Sequence, residues 1–322
     1  MIYNGKMNVL VFGLGALGTV YSCLLKQAGH RVFGIDIPPV ASCIVRQGVQ
    51  VRGIWGEHQA FLDQVVTGIE QLDESDFDLI IVTVKAYQTA AVSQVLKPYI
   101  KDTTYVLLAQ NGYGNYETAS KYITAHHLVL GRVIFGAVTL EPGISQVTVI
   151  ADDVLIGQPE QLIDALQLQK LAEVFSQAGI PTQVSPNIMD FVWAKIIYNS
   201  ALNPLGAILE VPYGKLAEMD WSRQLMDQII TEIFNVLEAL DQPVPWTDAN
   251  AYRSSFYQQM LPSTAAHRAS LLQDIQQGRK TEIEALNGAV VRLGERLGVE
   301  TPVNRVITWL IQCKETLGLI KT

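Results

Sequence analysis

The chain has 322 residues, 49% of them hydrophobic and 17% charged, which excludes a disordered polymer and is about two domains' worth of foldable chain. Its 23 Lys and Arg against 31 Asp and Glu leave a net charge of −8, which argues against nucleic acid or an anionic membrane as partner, since both need clustered basic residues. The 3 cysteines, Cys23, Cys43 and Cys313, form no C-x-x-C pair, and the 5 histidines form no H-E-x-x-H; the reading is reduced thiols in a cytoplasmic protein with no metal site.

In chain order, the first segment to weigh is Met7–Leu25, which is uncharged and nearly long enough to cross a bilayer. It contains Gly13, Gly15 and Gly18, so a buried strand over Asn8–Gly13, a glycine turn and a helix over Ala16–Ala28 account for it better. Further strands are predicted at Arg31–Ile35, Leu79–Val84 and Tyr105–Ala109, with a helix near Thr89–Ile100. Leu128–Leu140 and Ser145–Gly157 read as strands joined by a turn at Glu141-Pro142-Gly143. A helix over Gln161–Ala178 and a strand at Ile180–Val184 complete an alternation that indicates an α/β domain with a mostly parallel sheet.

The pattern changes at Ser185-Pro186-Asn187. Helical stretches follow near 188–203, 221–240, 247–260, 264–277, 281–297 and 303–317, separated by prolines such as Pro204, Pro243 and Pro262. The expectation is a Rossmann-type dinucleotide-binding domain over 1–186 and an all-helical substrate-binding domain over 187–322. The helical half is the candidate surface for a homodimer, although no residue in it demands one.

Gly13-Leu14-Gly15-Ala16-Leu17-Gly18 is a G-x-G-x-x-G that follows a strand and opens a helix, the context that makes this motif a dinucleotide fingerprint. Asp36 ends the second strand, where a carboxylate hydrogen-bonds the adenosine ribose and repels a 2′-phosphate. The next residues, Ile37, Pro38 and Pro39, include no base to receive that phosphate, so NADH is expected over NADPH. In the second half, Phe191–Leu209 is apolar except for Lys195, Asn199 and Asn203, which share one helix face at i, i+4 and i+8. A cation and two amides on an otherwise apolar helix point to a polar ligand. Ser270 and Asp274 share a face of a later helix, and Glu282 opens the next, where an acid is equally a simple cap.

Five segments together, GLGALG at 13–18, VTVKAYQ at 82–88, AQNGYGN at 109–115, WAKIIYNSALNPLGAI at 193–208 and SLLQDIQQGRKTEIEALNG at 270–288, resemble the ketopantoate reductases. The resemblance runs from about Met7 to the C-terminus. It implies a Rossmann domain followed by a helical domain similar to the C-terminal domain of 6-phosphogluconate dehydrogenase. It also implies reduction of ketopantoate to D-pantoate by hydride from NAD(P)H, a step of pantothenate biosynthesis. By position it makes Lys195 the catalytic lysine and Glu282 the glutamate supporting it. Asn199, Asn203 and Ser270 become substrate residues, with Ser270 on the substrate carboxylate. Lys85 and Asn111 are expected to face the cofactor, Asn111 the substrate as well.

Two positions depart from the pattern. Many relatives carry arginine where Ile37 stands and use it on the 2′-phosphate of NADP, and they commonly read Pro-Asn-Gly where this chain has Pro212-Tyr213-Gly214. Both leave open an NAD-dependent D-2-hydroxyacid dehydrogenase of the same family acting on another 2-keto acid. A non-catalytic dinucleotide sensor would keep the glycine loop without needing Lys195 and Glu282. A short-chain dehydrogenase is set aside, because none of the 12 tyrosines has lysine four residues later.

Overall fold

The computed structural model of the chain describes residues 5–150 and 152–320. It divides into two units: residues up to Gln110 with Asn115–Ile188, and Asn111–Gly114 with the residues from Met189 onward. The division lies beside the change of character in the sequence, but Asn111–Gly114 pack with the second unit despite lying in the first half of the chain.

In the first unit, β1 (Asn8–Phe12) is buried along its middle, followed by α1 (Ala16–Gln27), β2 (Arg31–Ile35) and α2 (Pro38–Gln47). Three short strands follow, β3 (Val49–Gly53), β4 (His58–Ala60) and β5 (Gln64–Val66). Then come β6 (Leu79–Val82), α3 (Thr89–Leu96), β7 (Tyr105–Leu108), α4 (Asn115–Ala119) and β8 (Leu128–Arg132). The unit ends with β9 (Phe135–Glu141), β10 (Ile144–Ile150), β11 (Val154–Gly157), α5 (Ala165–Gln177) and β12 (Thr182–Val184). The stretch Met7–Leu25 is thus a strand, a turn and a helix, and among the described residues no helix is long and apolar enough to cross a membrane.

One sheet has the order β12-β11-β8-β7-β6-β1-β2-β5. All its neighbours run parallel except β8 and β11. The chain leaves β1 for β2 on one side and later returns as β6 on the other. That reversal opens a crevice beyond the C-terminal ends of β1 and β6, the place where such sheets take ligands. Gly13 follows β1 there, and Thr83 follows β6.

A second sheet, β4-β3-β10-β9, packs on α1 and was not foreseen. The predicted strand Leu128–Leu140 breaks after Arg132 into β8 and β9, which lie in different sheets. The predicted strand Ser145–Gly157 likewise becomes β10 and β11, while Ala151 within it lies outside the described residues. Apolar periodicity reports burial and says nothing about which neighbour a strand pairs with, so it passes over a change of sheet. The Glu141-Pro142-Gly143 turn does join β9 to β10, with Gly143 at φ +82.

Among its described residues the second unit has no strand. It opens with α6 (Ile188–Leu209), then α7 (Tyr213–Glu218), α8 (Asp220–Ala239) and α9 (Ala249–Ser255). A π-turn at Phe256–Met260 and the short α10 (Leu261–Ser263) lead to α11 (Ser270–Gln276), α12 (Asn287–Leu297) and α13 (Pro302–Ile320). Trp193, Ile196, Ile197 and Leu202 of α6 are buried with Ile229, Ile233 and Val236 of α8 and Val290 of α12. Buried Glu232 accepts from the main-chain N–H groups of Val303 (2.8 Å) and Asn304 (2.9 Å), placing a carboxylate on the positive end of α13.

Pro204 was expected to end the first of these helices near residue 203, yet α6 continues through it to Leu209. Proline has no N–H to donate to the carbonyl of Ser200 one turn back. The side chain of Asn287 donates to that carbonyl instead, at 3.1 Å. A cost of about 3 kcal/mol for an interior proline is thereby partly offset by a hydrogen bond from another helix.

Candidate active site

The glycine loop is set by main-chain contacts. Gly13 has φ +97, and a Cβ on it would stand 2.9 Å from Val84 Cγ1 and 3.0 Å from the Val84 nitrogen. A Cβ on Gly18 would stand 1.8 Å from the carbonyl oxygen of Gly13, so only glycine lets α1 start this close to β1. Gly15 is exposed, and a Cβ there would meet nothing within 4 Å. The first turn of α1 has no side-chain cap and no acidic residue, so its N–H groups and helix dipole face the space above Gly15. An open cradle of this kind fits the pyrophosphate of a dinucleotide.

Around that loop the side chains are more committed than the motif suggested. Leu14 and Leu17 pack against the core, and the N–H of Leu14 donates to Asp36 Oδ2 at 2.5 Å. The N–H of Ile37 donates to Asp36 Oδ1 at 2.7 Å. Burial raises the Asp36 carboxyl above its ordinary value, and these two N–H groups oppose the shift. Asp36 therefore clamps the glycine loop. Thr83, which the sequence reading did not single out, donates its hydroxyl to Gly13 O at 2.5 Å, and Thr19 donates to Leu14 O at 2.9 Å. Ala16 is half-buried at the head of α1. Lys85 follows β6 at the head of a short 3-10 turn, Ala86–Gln88. The side chain of Gln110 donates to Val84 O at 3.0 Å and to Thr89 Oγ1 at 2.8 Å, tying the ends of β6 and β7 together.

The remaining predicted residues gather in the second unit. Lys195 Nζ donates to Asn111 Oδ1 at 2.6 Å, and Asn111 Nδ2 donates to Glu282 Oε2 at 3.3 Å. The amide of Asn111 thus stands between a cation and a carboxylate with its oxygen toward the first and its nitrogen toward the second. Asn111 reaches this place because its loop docks here: Tyr113 N donates to Ala285 O at 2.8 Å, and the Tyr113 ring lies 5.1 Å from that of Trp193. Gly112 is required, since a Cβ on it would lie 2.5 Å from Ala285 Cβ.

One and two turns after Lys195 on α6, Asn199 and Asn203 make a second chain. The N–H and hydroxyl of Ser270 both donate to Asn203 Oδ1, at 2.9 and 3.1 Å, and Asn203 Nδ2 approaches Asn199 Oδ1 at 3.4 Å. A main-chain N–H needs an acceptor, so Ser270 fixes which end of the buried Asn203 amide points where. Asp274, paired with Ser270 in the sequence by spacing alone, instead holds Arg279 at 2.8 Å and is buried.

Tyr213 does not join this stripe. It is buried, with its ring 6.3 Å from that of Tyr198 and 5.3 Å from that of His267. Burial also lowers the His267 pKa and raises that of the Tyr213 hydroxyl. Position 213 is a core position in this chain. Among the described residues no three His, Cys, Asp or Glu side chains gather as metal ligands, and Cys23, Cys43 and Cys313 are free thiols.

Comparison with known proteins follows the same two parts. Residues 9–161 match the family model described as ketopantoate reductase PanE/ApbA, and residues 187–315 match its C-terminal counterpart. The chain is 42% identical to a 2-dehydropantoate 2-reductase of Aquifex aeolicus, over 98% of this chain and 99% of that one. It is 31% identical to a 2-dehydropantoate 2-reductase of Pyrococcus abyssi, over 97% and 99%. A solved structure of D-mandelate dehydrogenase with NADH and anilino(oxo)acetate is similar at TM-score 0.87 and 28% identity, over 97% of this chain and 99% of that one. A PanE/ApbA family ketopantoate reductase from Ralstonia eutropha is similar at TM-score 0.85 and 27% identity, with the same coverage of 97% and 99%. With both parts of the family model matched and full-length relatives at this identity, the chain belongs to the ketopantoate reductase family.

Proposed function

We propose that the chain is a 2-dehydropantoate 2-reductase, an NAD(P)-dependent oxidoreductase that reduces the keto group of ketopantoate to the hydroxyl of D-pantoate. The observation that carries this reading is the Lys195–Asn111–Glu282 hydrogen-bonded chain, whose lysine lies on the helix that also presents Asn199 and Asn203. When bound, NAD(P)H supplies the hydride for the keto carbon. The protein's part is to manage the charge that grows on the keto oxygen. Lys195, as an ammonium, stabilises that oxygen and donates the proton to it. Asn111 aims the ammonium through its amide oxygen, and Glu282 holds the other end of Asn111 while balancing the positive charge. Asn199, Asn203 and Ser270 hold the substrate's carboxylate and hydroxyl. Gly13 to Gly18, Asp36 and Lys85 of the first unit hold the dinucleotide.

The test is a steady-state panel of ketopantoate and simpler or bulkier 2-keto acids with both cofactors. Ketopantoate is expected to have the highest kcat/KM. An aryl or unbranched 2-keto acid ahead of it by tenfold or more would replace this reading with the second one, a D-2-hydroxyacid dehydrogenase. The likeness to D-mandelate dehydrogenase, at TM-score 0.87, is what keeps that second reading in view.

For the cofactor we infer a preference for NADH. What supports it is an acid at the end of the second strand, the place where such folds meet the adenosine ribose, beside an Ile37 that is 62% exposed and uncharged. The KM for NADH is expected to be the lower one, and Asp36→Ala is expected to narrow the ratio of the two constants by about tenfold, the size of one screened charge repulsion. Because Leu14 loses its acceptor, both constants should also rise. A strong NADPH preference in the parent protein would refute this. We further propose a cytoplasmic enzyme with no nucleic-acid partner for so acidic a chain, whose helical half is the candidate surface for a homodimer.

A further inference from the structure

Glu282 lies in a connection that is neither helix nor strand at its start. α11 ends at Gln276, a 3-10 turn spans Ile283–Ala285, and α12 begins at Asn287. Such a segment has too few main-chain hydrogen bonds of its own to fix a side chain, so its position must come from its neighbours.

One set of neighbours is the docked loop, through Tyr113 N on Ala285 O at 2.8 Å. The other is on α13. Glu315 Oε1 accepts the N–H of Thr281 at 2.7 Å, and Thr281 Oγ1 then accepts the N–H of Ile283 at 3.2 Å. Gln312 Nε2 donates to Glu284 Oε1 at 2.5 Å, while Arg292 of α12 holds the other oxygen of Glu284 and donates to its carbonyl at 2.7 Å. Gln312 and Glu315 are three residues apart and so share one face of α13. They grip Thr281 and Glu284, the residues on either side of the segment that carries Glu282 and Ile283.

We infer that Glu315 and Gln312 are positioning residues for Glu282, acting through the main chain of Thr281 and the side chain of Glu284. The inference rests on the proposed role of Glu282 in the reduction. Among the described residues Glu315 hydrogen-bonds Thr281 and neither the Lys195–Asn111–Glu282 chain nor the Asn199–Asn203–Ser270 chain. Its effect on turnover therefore has to pass through the turn. A displacement of the order of 1 Å at a catalytic carboxylate is enough to cost roughly a hundredfold in rate.

The test uses the full chain with four variants: Glu315→Ala, Glu315→Gln, Glu282→Gln and the double variant of Glu282→Gln with Glu315→Ala. Glu315→Ala is expected to lower kcat by roughly ten- to a hundredfold with the cofactor KM unchanged, and to speed amide hydrogen exchange at Thr281. Glu315→Gln keeps an oxygen for the Thr281 N–H, so it is expected to retain kcat within about threefold of the parent. The double variant is expected to be no slower than Glu282→Gln alone, because residues that act as a unit are not additive. Normal turnover in Glu315→Ala, or the same fold-loss on adding it to Glu282→Gln, would overturn the inference. Full turnover in Glu282→Gln would instead remove the role of Glu282 on which the inference stands. Gln312→Ala serves as the second probe if Glu315→Ala does not fold, with a smaller loss of kcat expected and an unchanged kcat overturning the pairing.

Discussion

Lys195→Ala is expected to lower kcat by about three orders of magnitude while the fold and NAD(P)H binding survive. Two contributions disappear together: the proton donor, worth about 10²- to 10⁴-fold, and the positive charge beside the developing oxyanion. The cost to folding should be small. Lys195 is only half-buried, and its bond to Asn111 is a charge-assisted one of about 1.5–3 kcal/mol net, well within what a domain can lose and stay folded. Lys195→Arg separates the two effects. It keeps a charge but holds its proton too tightly to give it up, so it should fall between the parent and the alanine variant. Steady-state rates with fluorescence titration of the cofactor read out both quantities. Turnover within tenfold of the parent in Lys195→Ala would sink the assignment of the proton donor.

The second large effect separates two glycines of one motif. Gly18→Ala forces a Cβ to within 1.8 Å of a main-chain oxygen, which no side-chain rotation relieves. The helix must back away from β1, at about 3 kcal/mol or more, and the first unit should melt on the order of 10 °C lower. Gly15→Ala meets nothing within 4 Å and should melt with the parent. Its methyl group takes up part of the open space beside the glycine loop, so the KM for NAD(P)H should rise about tenfold or more without change in Tm. A Gly15→Ala protein with normal cofactor KM would place the pyrophosphate elsewhere.

What could be read from the sequence was local. Gly13, Gly15 and Gly18 between a strand and a helix, with Asp36 at the end of the next strand, lie within one βαβ unit whose spacing is set by the geometry of its parts. The face shared by Lys195, Asn199 and Asn203 follows from helical period alone. Contacts that close over long separations were beyond that reasoning. Asn111 joins Lys195 and Glu282 across 84 and 171 residues, so neither spacing nor burial pattern signalled the pairing, and only the family resemblance had placed all three near a substrate. The clamp of Leu14 by Asp36 is a main-chain contact, which leaves no trace in side-chain patterning. The one faint signal for the docked loop was Gly112, whose value at φ +87 against Ala285 is clear only once the fold is known.

The continuation of α6 through Pro204 has a consequence for the order in which the protein matures. The carbonyl of Ser200 waits for Asn287, 87 residues further along the chain. At a synthesis rate of about 5–20 residues per second, that donor leaves the ribosome roughly 4–17 s after the proline does. Until then the last turns of the helix, which follow Asn203, lack the bond that carries them past the proline. A nascent chain can therefore complete its glycine loop and sheet early, with every residue they use already made, while the amide stripe must wait for Ser270 of α11 and the turns beyond Pro204 for α12. Cofactor binding should precede substrate binding along the emerging chain, and the competence of the finished enzyme is set by the arrival of its last helices.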